Sequence, residues 1–553
     1  MRGYLLLPLF WLLPPSRCPT LSSDCGPVES NIFSPLTLPC GRTVTNRLVK
    51  VAMYEHLSNF SGGPPNIYHF ALYSEWAKHG WGMVITGNVQ VDKHHLTLGR
   101  DMVVPNVLND ETLAPFKRLA QVIHGDAVVK NGEYSHSSRY KVRPLAIMQI
   151  SHPGRQSPIV VGGRSPFVPP KAPSPVRVGS VAQKSAVRPE VNFSSSIRST
   201  EEGPAKDMPW TTALSLRTLF QIPQEMTIDD IRDVQAGVSQ SRPGGFEGWF
   251  RRHCTNAGNR IYWLDLLAQF MNPKTNIRQD QYSISPPVNS LRMLREIVEA
   301  IRAMMRRDFV VGVKINSADY IQAGERPSDA RLQVETNRVL DHVRAIAHWG
   351  LIDFIEVSGG DYESPEFMSS KPTTPRQAFF SHFSRMVIEH INRDPAPSKP
   401  TPVPVILLTG GLRSPAHLQT ALDAGHADLL GIGRGSITCP DLPVMLQKRL
   451  SYGEDRVEYQ SKKDTEPFAC DPGDDLKPPF WLPKVGLIGA SFQLAWYTVR
   501  IRSIAESRIQ NGPRNGKPGA DSYPHGMGAT EAMLKMWIWA NRVQAGGFWS
   551  SFL

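Results

Sequence analysis

The stretch VPVILLTGGLRSPAHLQTALDAGHADLLGIGRGSI, residues 403–437, decides the fold of this chain. It contains two short runs rich in apolar and branched residues, VPVILLTG (403–410) and ADLLGIG (427–433), which are typical of parallel strands buried on both faces. The segment between them is amphipathic and ends in glycine, as helices often do. The stretch therefore predicts a strand, a helix and a second strand, which is the repeating unit of an α/β fold.

The same unit recurs along the chain. Apolar runs that are each followed by a helix-like segment are LVKVAM (48–53), GMVITG (82–87), LAIMQI (145–150), DFVVGVKI (308–315) and DFIEVS (353–358). One more strand is needed between 150 and 308, and GGFEGWF (244–250) lies where we expect it. Eight such units predict an α/β fold of the (β/α)8 TIM-barrel type over residues 31–445. A doubly wound dinucleotide-binding sheet is disfavoured, because no good G-x-G-x-x-G motif follows an early strand.

Both ends of the chain read as extensions of this barrel. Residues 1–30 form a leader that is disordered or signal-like, because Arg2 precedes an apolar run, Tyr4–Leu13, that is too short to span a bilayer. We expect a cytoplasmic protein, or a secretory one if residues 1–20 act as a signal peptide. Residues 446–553 form a C-terminal extension with an apolar helix at 485–503 and a mobile tail.

Charge and cysteine content exclude several classes of function. The 553-residue chain has a net charge of +11 from 61 basic and 50 acidic residues, spread without a Lys/Arg block, so we expect no nucleic-acid partner. Its six cysteines form no C-x-x-C pair, so we expect no metal site. The sequence predicts no stable membrane span and leaves the oligomeric state open.

The last two predicted strands end in a pattern that favours phosphate. Gly410 and Gly411 follow one strand, and Gly433 and Arg434 follow the other. In barrels, the loops after the seventh and eighth strands commonly form a phosphate site, because glycines let backbone N–H groups close on the oxygens. An arginine adds a charge-assisted clamp. The alternative is that each glycine only serves a tight turn.

Several motifs in the same order resemble those of one family. They are FSPLTLPCGRTVTNRLVKVAM (33–53), LAIMQISHPGRQSP (145–158), LLAQFMNPKTNIRQDQY (266–282), VILLTGGLRS (405–414) and LLGIGRG (429–435). Together they resemble the old yellow enzyme family of NADH:flavin oxidoreductases, and KVGLIGASFQLAWY (484–497) is similar to a segment of its fungal branch. The resemblance implies FMN as the cofactor, NAD(P)H as the reductant and a small electrophilic alkene as the substrate.

The resemblance also assigns residues to the flavin. Those that it places around the ring are Ala52, Met53, Tyr54, Gly87, Gln149 and Lys314. It implies that Gln149 hydrogen-bonds the pyrimidine edge and that Lys314 faces the N1–C2=O region, where reduced FMN carries negative charge. The alternative for Lys314 is an ion pair within the barrel, because a cation inside a strand needs a partner.

For catalysis the resemblance points to GGFEGWFRRHCTNAGNRIYWLDLLAQF, residues 244–270. His253 and Asn256 match the pair that grips the carbonyl oxygen of an unsaturated substrate, by the logic of an oxyanion hole. Tyr262 is the candidate proton donor, although it follows Asn256 by six residues where the family has two.

Two segments depart from the family pattern and are expected to impair activity. They lie at 128–142, which has a lid loop as its alternative, and at 249–265, where Arg251 and Arg252 fit a buried strand poorly. The alternative function is a non-catalytic flavin-binding protein or the product of a defective gene model. A barrel hydrolase would need paired carboxylates, and Asp319, Glu356 and Asp361 do not form a convincing set.

Overall fold

The protein is described from a computed structural model. The structure describes residues 31–130, 133–136, 143–181, 203–204, 210–239, 261–316, 330–358, 374–392, 402–451, 467–468, 476, 479, 486–511 and 526–539. The predicted leader, residues 1–30, lies outside these residues. The predicted domain boundaries remain predictions.

The described residues alternate between strands and helices for most of the chain. The strands are β1 (Leu36–Thr37), β2 (Thr43–Val44), β3 (Leu48–Lys50), β4 (Met83–Gln90), β5 (Met102–Val103), β6 (Ala127–Lys130), β7 (Glu133–His136), β8 (Leu145–His152), β9 (Lys171–Ala172), β10 (Ser180–Val181), β11 (Gly203–Pro204), β12 (Gln224–Glu225), β13 (Ile261–Asp265), β14 (Val311–Asn316), β15 (Phe354–Ser358), β16 (Val405–Thr409) and β17 (Leu429–Ile432). The helices are α1 (Ile67–Ala77), α2 (Asp110–Ile123), α3 (Trp210–Leu219), α4 (Ile228–Ser239), α5 (Leu266–Met271), α6 (Pro287–Ser290), α7 (Arg292–Met304), α8 (Ala330–His348), α9 (Thr374–Asn392), α10 (Pro415–Asp423), α11 (Arg434–Thr438), α12 (Leu442–Ser451), α13 (Gly486–Asn511) and α14 (Ala529–Trp537).

Parallel strands close into a ring. Its order is β3, β4, β8, β13, β14, β15, β16 and β17, and β17 pairs with β3 again. Closure runs through Val49, which lies opposite Gly431 on one side and Met83 on the other. The indole N–H of Trp76 in α1 donates to the Ser436 carbonyl at 2.8 Å, which ties the first helix to the last β/α unit. The predicted (β/α)8 barrel is therefore confirmed.

The fourth strand of the ring is not the one that the sequence predicted. β13 takes this position, with Tyr262 opposite Gln149 of β8 and Gly312 of β14. The ring has one place between β8 and β14, so the prediction that residues 244–250 fill it is wrong. Those residues lie outside the described part of the chain. The segment that the sequence analysis treated as an insert, 249–265, therefore supplies a barrel strand at its end.

Apolar side chains fill the amino-terminal half of the barrel. The inward-facing set packs as one cluster, in which alternate residues of the strands meet: Val49, Val51, Met83, Ile85, Leu145, Ile147, Val310, Phe354, Leu407 and Leu429. Leu38 and Val44, from the β1–β2 hairpin and its turn, belong to the same cluster and close this end. The barrel is thus solid below, and any site must lie at the carboxyl ends of the strands.

The segment at 128–142 contains ordered structure. β6 and β7 pair antiparallel as a hairpin, Val129 is buried, and the Tyr134 hydroxyl donates to Gln121 Oε1 at 2.5 Å. Residues 131–132 and 137–142 of this segment lie outside the described part. The hairpin joins α2 to β8, and helix-to-strand connections lie at the amino ends of barrel strands. The hairpin packs against the helices α1, α2 and α13, which favours a structural role over the lid alternative.

The C-terminal extension braces loops at the mouth. α13 and α14 pack on each other, and Arg502 of α13 donates to the Met536 carbonyl at 2.9 Å and to the His56 carbonyl at 3.3 Å. Arg100, in the loop after β4, donates to the carbonyl of Trp539 at 2.9 Å. Among the helices that the structure describes, none is both long and apolar enough to cross a membrane.

Candidate active site

The carboxyl half of the barrel interior is polar. The side-chain alternation that buries the apolar cluster also turns Gln149 of β8, Lys314 of β14 and Glu356 of β15 inward, above that cluster. Thr409, the last residue of β16, continues this set. This switch from apolar to polar side chains marks the mouth of the barrel as the candidate site.

Gln149 has an unmet hydrogen-bonding atom in this interior. It is 3 % exposed, and its amide nitrogen donates to Asn88 Oδ1 of β4. Its Oε1 has no hydrogen-bond partner among the described residues, and neither has Thr409 Oγ1. A buried polar atom without a partner costs free energy unless a ligand supplies one, so both atoms indicate a ligand with polar edges.

Lys314 is paired inside the barrel. Its Nζ lies 3.0 Å from Glu356 Oε1, and the two residues are directly opposite each other on β14 and β15. The Lys314 side chain is 14 % exposed and that of Glu356 is fully buried. The ion pair foreseen as the alternative for Lys314 is therefore present, and the lysine keeps partial access to the mouth.

The predicted phosphate residues lie at the same end of the barrel. Gly410 and Gly411 leave β16 with φ of 123° and 73°, in the region that favours glycine. Gly433 follows β17, the neighbouring strand, and a Cβ there would lie 3.4 Å from Met53 Sδ. Arg434 is half-buried, with its guanidinium carbon 5.8 Å from the ring centre of Tyr497 in α13.

The residues after β3 have two different surroundings. Ala52 packs against the apolar barrel cluster, and Met53 lies beside Gly433. Tyr54 instead points to the loop after β4, where its hydroxyl donates to Asp101 Oδ2 at 3.3 Å. The loop therefore brings Met53 to the phosphate glycines, while the hydroxyl of Tyr54 is held by the neighbouring loop.

Gly87 lies against a buried carboxyl group that the sequence analysis missed. Its N–H donates to Glu55 Oε1 at 2.8 Å and to the Tyr73 hydroxyl at 3.0 Å. Burial raises the pKa of Glu55, and the Lys50 charge and the hydrogen bonds from Tyr73 and Gly87 oppose this shift. Burial also lowers the pKa of Lys50 to about 8, against the opposing charge of Glu55. The signal in the sequence was the pair of charges in LVKVAMYEH, within and just after an apolar strand.

The predicted catalytic residues are not brought together by the described structure. His253 and Asn256 lie outside the described residues, and only the backbone of Tyr262 is described, within β13. α5 begins at Leu266, directly after β13 ends at Asp265. Groups that act in such barrels follow the strands. In chain order, His253 and Asn256 precede β13, and the catalytic roles of His253, Asn256 and Tyr262 remain predictions.

Asp92, His95 and His152 lie close enough together to hold a metal ion. Three of the four imidazole nitrogen atoms already take part in hydrogen bonds within the protein. His95 Nδ1 lies 2.8 Å from Asp92 Oδ2, and its Nε2 accepts from the Lys171 N–H at 2.8 Å. His152 Nδ1 accepts from the Gly154 N–H at 3.1 Å. Because these N–H groups occupy a lone pair on each imidazole, the cluster suits a structural lock between two loops better than a metal.

Comparison with known proteins assigns the family. The family described as NADH:flavin oxidoreductase / NADH oxidase matches residues 265–452. The NADH-dependent flavin oxidoreductase iliE of Hypocrea jecorina (strain QM6a) is 30% identical over 422 residues, which cover 75% of this chain and 88% of that protein. The chain belongs to this family. The predicted old yellow enzyme resemblance is thus confirmed, and with it FMN as cofactor and NAD(P)H as the reductant implied by membership.

Other family relatives differ in length. The NADH-dependent flavin oxidoreductase iccE of Talaromyces variabilis is 27% identical over 497 residues, covering 87% of this chain and 99% of that protein. The iliE protein of Neonectria sp. (strain DH2) is 31% identical over 454 residues, which cover 78% of this chain. The chain spans 50% of that relative's length.

Solved structures agree with the barrel fold. The structure of 2-naphthoyl-CoA reductase with 2-naphthoyl-CoA superposes with a TM-score of 0.53 at 18% identity, over 76% of this chain and 52% of that one. Morphinone reductase gives a TM-score of 0.50 at 16% identity, over 78% of this chain and 93% of that one. At these identities the likeness concerns the fold alone.

Proposed function

We propose that this protein is an NADH-dependent, FMN-containing reductase whose site is built for activated C=C bonds and is impaired at the fourth strand. The observation that carries the flavin role is the Oε1 of Gln149, which is buried at the carboxyl end of the barrel and has no partner among the described residues. Lys314, two strands further along the ring, faces the same interior. NADH is the proposed reductant because the relatives' names state it. The substrate class, a small electrophilic alkene, comes from the resemblance.

The residues present fit FMN. Gln149 Oε1 can accept from an N–H on the flavin's pyrimidine edge, and Lys314 can face the N1–C2=O region. Gly410, Gly411 and Gly433 offer backbone N–H groups to a phosphate, and Arg434 offers a guanidinium. When bound, FMN supplies hydride transfer from the nicotinamide to an activated alkene.

This chain's own residues would perform the remaining work. Lys314, balanced by Glu356, would stabilise negative charge on the cofactor. Ala52 and Met53 would form an apolar edge that excludes water. No described residue is placed to hydrogen-bond the substrate carbonyl, because β13 passes into α5 without an intervening loop.

That last observation favours a second candidate, a flavin-binding protein without alkene reductase activity. A spectrum of the purified protein, followed by anaerobic titration with NADH and then cyclohexenone, separates the two. Both candidates predict flavin absorption that bleaches with NADH. Recovery of the absorption on adding the enone supports the reductase, and bleaching that persists supports the second candidate. Absence of flavin from protein supplied with FMN would contradict both.

The phosphate assignment gives a prediction of its own. Arg434→Ala is expected to weaken FMN binding about 10- to 100-fold, because a charge-assisted hydrogen bond contributes about 1.5–3 kcal/mol. Arg434→Lys keeps the charge without the planar fork and should fall between the two. The dissociation constant is measured by titrating apoprotein with FMN and following flavin fluorescence. An unchanged constant for Arg434→Ala would place the phosphate elsewhere.

A further inference from the structure

The strand β4 carries an irregularity at the flavin end of the barrel. Ile85 lies opposite Ile147 of β8, and Asn88 lies opposite Gln149, with a register shift between them. Two residues of β4, Thr86 and Gly87, thus face one residue of β8. Such a bulge turns the following side chain to the other face. It brings Asn88 to the same side as Gln149.

Asn88 then fixes the amide of Gln149. The Gln149 nitrogen donates to Asn88 Oδ1, so its oxygen, Oε1, is the atom left without a partner among the described residues. The bulge also holds the backbone here, because the Gln149 N–H donates to Thr86 Oγ1 at 3.1 Å. Which edge Gln149 offers to a ligand therefore depends on the shape of the bulge.

Glu55 holds the bulge from outside the strand. It accepts the Gly87 N–H at 2.8 Å and also accepts the Tyr73 hydroxyl, and it is 3 % exposed. The approach is close enough to exclude a side chain at position 87, since a Cβ there would lie 1.9 Å from Glu55 Oε2 and 2.5 Å from the Met53 carbonyl oxygen. Lys50 is the buried cation on the same side, with Nζ 3.0 Å from the Ile85 carbonyl and 4.2 Å from the Trp76 ring centre.

We propose that Glu55 is a positioning residue for the flavin. By accepting the Gly87 N–H it keeps the bulge in the form that aims Asn88, and through Asn88 the amide of Gln149, at the pyrimidine edge. The inference rests on the flavin role proposed for Gln149. It predicts that the acceptor oxygen at position 55 matters for FMN binding, although Glu55 acts on the flavin only through other residues.

Two charge-neutral double variants test the acceptor alone. Lys50→Met/Glu55→Gln keeps an amide oxygen for the Gly87 N–H, and Lys50→Met/Glu55→Met removes it at similar volume. Neither variant leaves Lys50 buried without its partner charge, so the two differ in the acceptor at position 55 and not in the cost of an unpaired buried charge. The expected dissociation constant for FMN is within about threefold of wild type for the first and about tenfold or more weaker for the second. The flavin's visible circular dichroism should change in the second only.

Two further variants distinguish a failure of the role proposed for Glu55 from a failure of the flavin role proposed for Gln149. Glu75→Ala removes another buried acid of the same region, one that pairs with Lys78 and Arg508 instead of β4. It should lower the melting temperature of the apoprotein and leave the FMN constant within about threefold. Gln149→Ala should weaken FMN binding about tenfold. If it does and the two double variants bind FMN equally, the positioning role of Glu55 is overturned. If Gln149→Ala binds FMN as wild type does, the flavin role of Gln149 fails, and the inference fails with it.

Discussion

The protein as it stands is expected to accept electrons from NADH and to pass them to cyclohexenone about 10²–10³ times more slowly than a working ene-reductase site would. Gripping the enone carbonyl needs donors on a loop after the fourth strand, and here Leu266 starts a helix directly after Asp265. Rapid mixing measures the two half-reactions separately, by the loss of flavin absorption with NADH and its return with the enone.

A replacement variant tests whether the fourth strand is the cause. Residues 244–265 are exchanged for an apolar strand that is followed directly by a loop carrying His-x-x-Asn. The enone half-reaction is expected to rise about 10²-fold or more, while the NADH half-reaction stays within a few-fold. Retained flavin absorption is the control for folding. A turnover near 10 s⁻¹ by the unmodified protein would show that this prediction is wrong.

The barrel could be predicted from the sequence because its strands are buried on both faces. Runs such as VPVILLTG and DFIEVS have few other interpretations in a chain that repeats them between amphipathic segments. The fourth strand could not be predicted in this way. IYWLD is also strand-like, but GGFEGWF lay where the eighth strand was needed, and a run of five residues is too short a pattern to decide between the two. Only ring closure, a tertiary constraint, selects β13.

Site residues that belong to a recognisable sequence motif could be predicted. Contacts that depend on the pairing register of neighbouring strands could not. Glycines after β16 and β17, Gln149 and Lys314 could be named from the sequence. The contact between Gly87 and Glu55 could not, because the two residues are 32 positions apart and meet through a bulge whose extra residue leaves no mark in the sequence pattern. The β6–β7 hairpin escaped for a related reason, since its polar composition hides the few side chains that pack.

Breaking the Lys314–Glu356 pair is expected to have the largest effect on stability. Lys314→Met removes the ammonium group 3.0 Å from a carboxyl that is fully buried, so the free energy of unfolding should fall by about 3–5 kcal/mol. Lys314→Met/Glu356→Gln removes both charges and should recover much of that loss. Urea unfolding of the apoproteins measures each value. A double variant as unstable as the single one would mean that packing, and not charge, explains the loss.

Variants of the same two residues test whether Lys314 also stabilises the reduced flavin. Glu356→Gln leaves the lysine charge without its nearest balance, at the mouth where reduced FMN carries negative charge. The reduction potential of bound FMN should therefore rise, by about 30 mV for each 1.4 kcal/mol of added stabilisation of the two-electron reduced form. Lys314→Met should lower it. Because stability and potential are measured separately, the two roles can be told apart. If both variants keep the wild-type potential while the unfolding free energies change as expected, Lys314 is a structural ion-pair partner and not a flavin ligand.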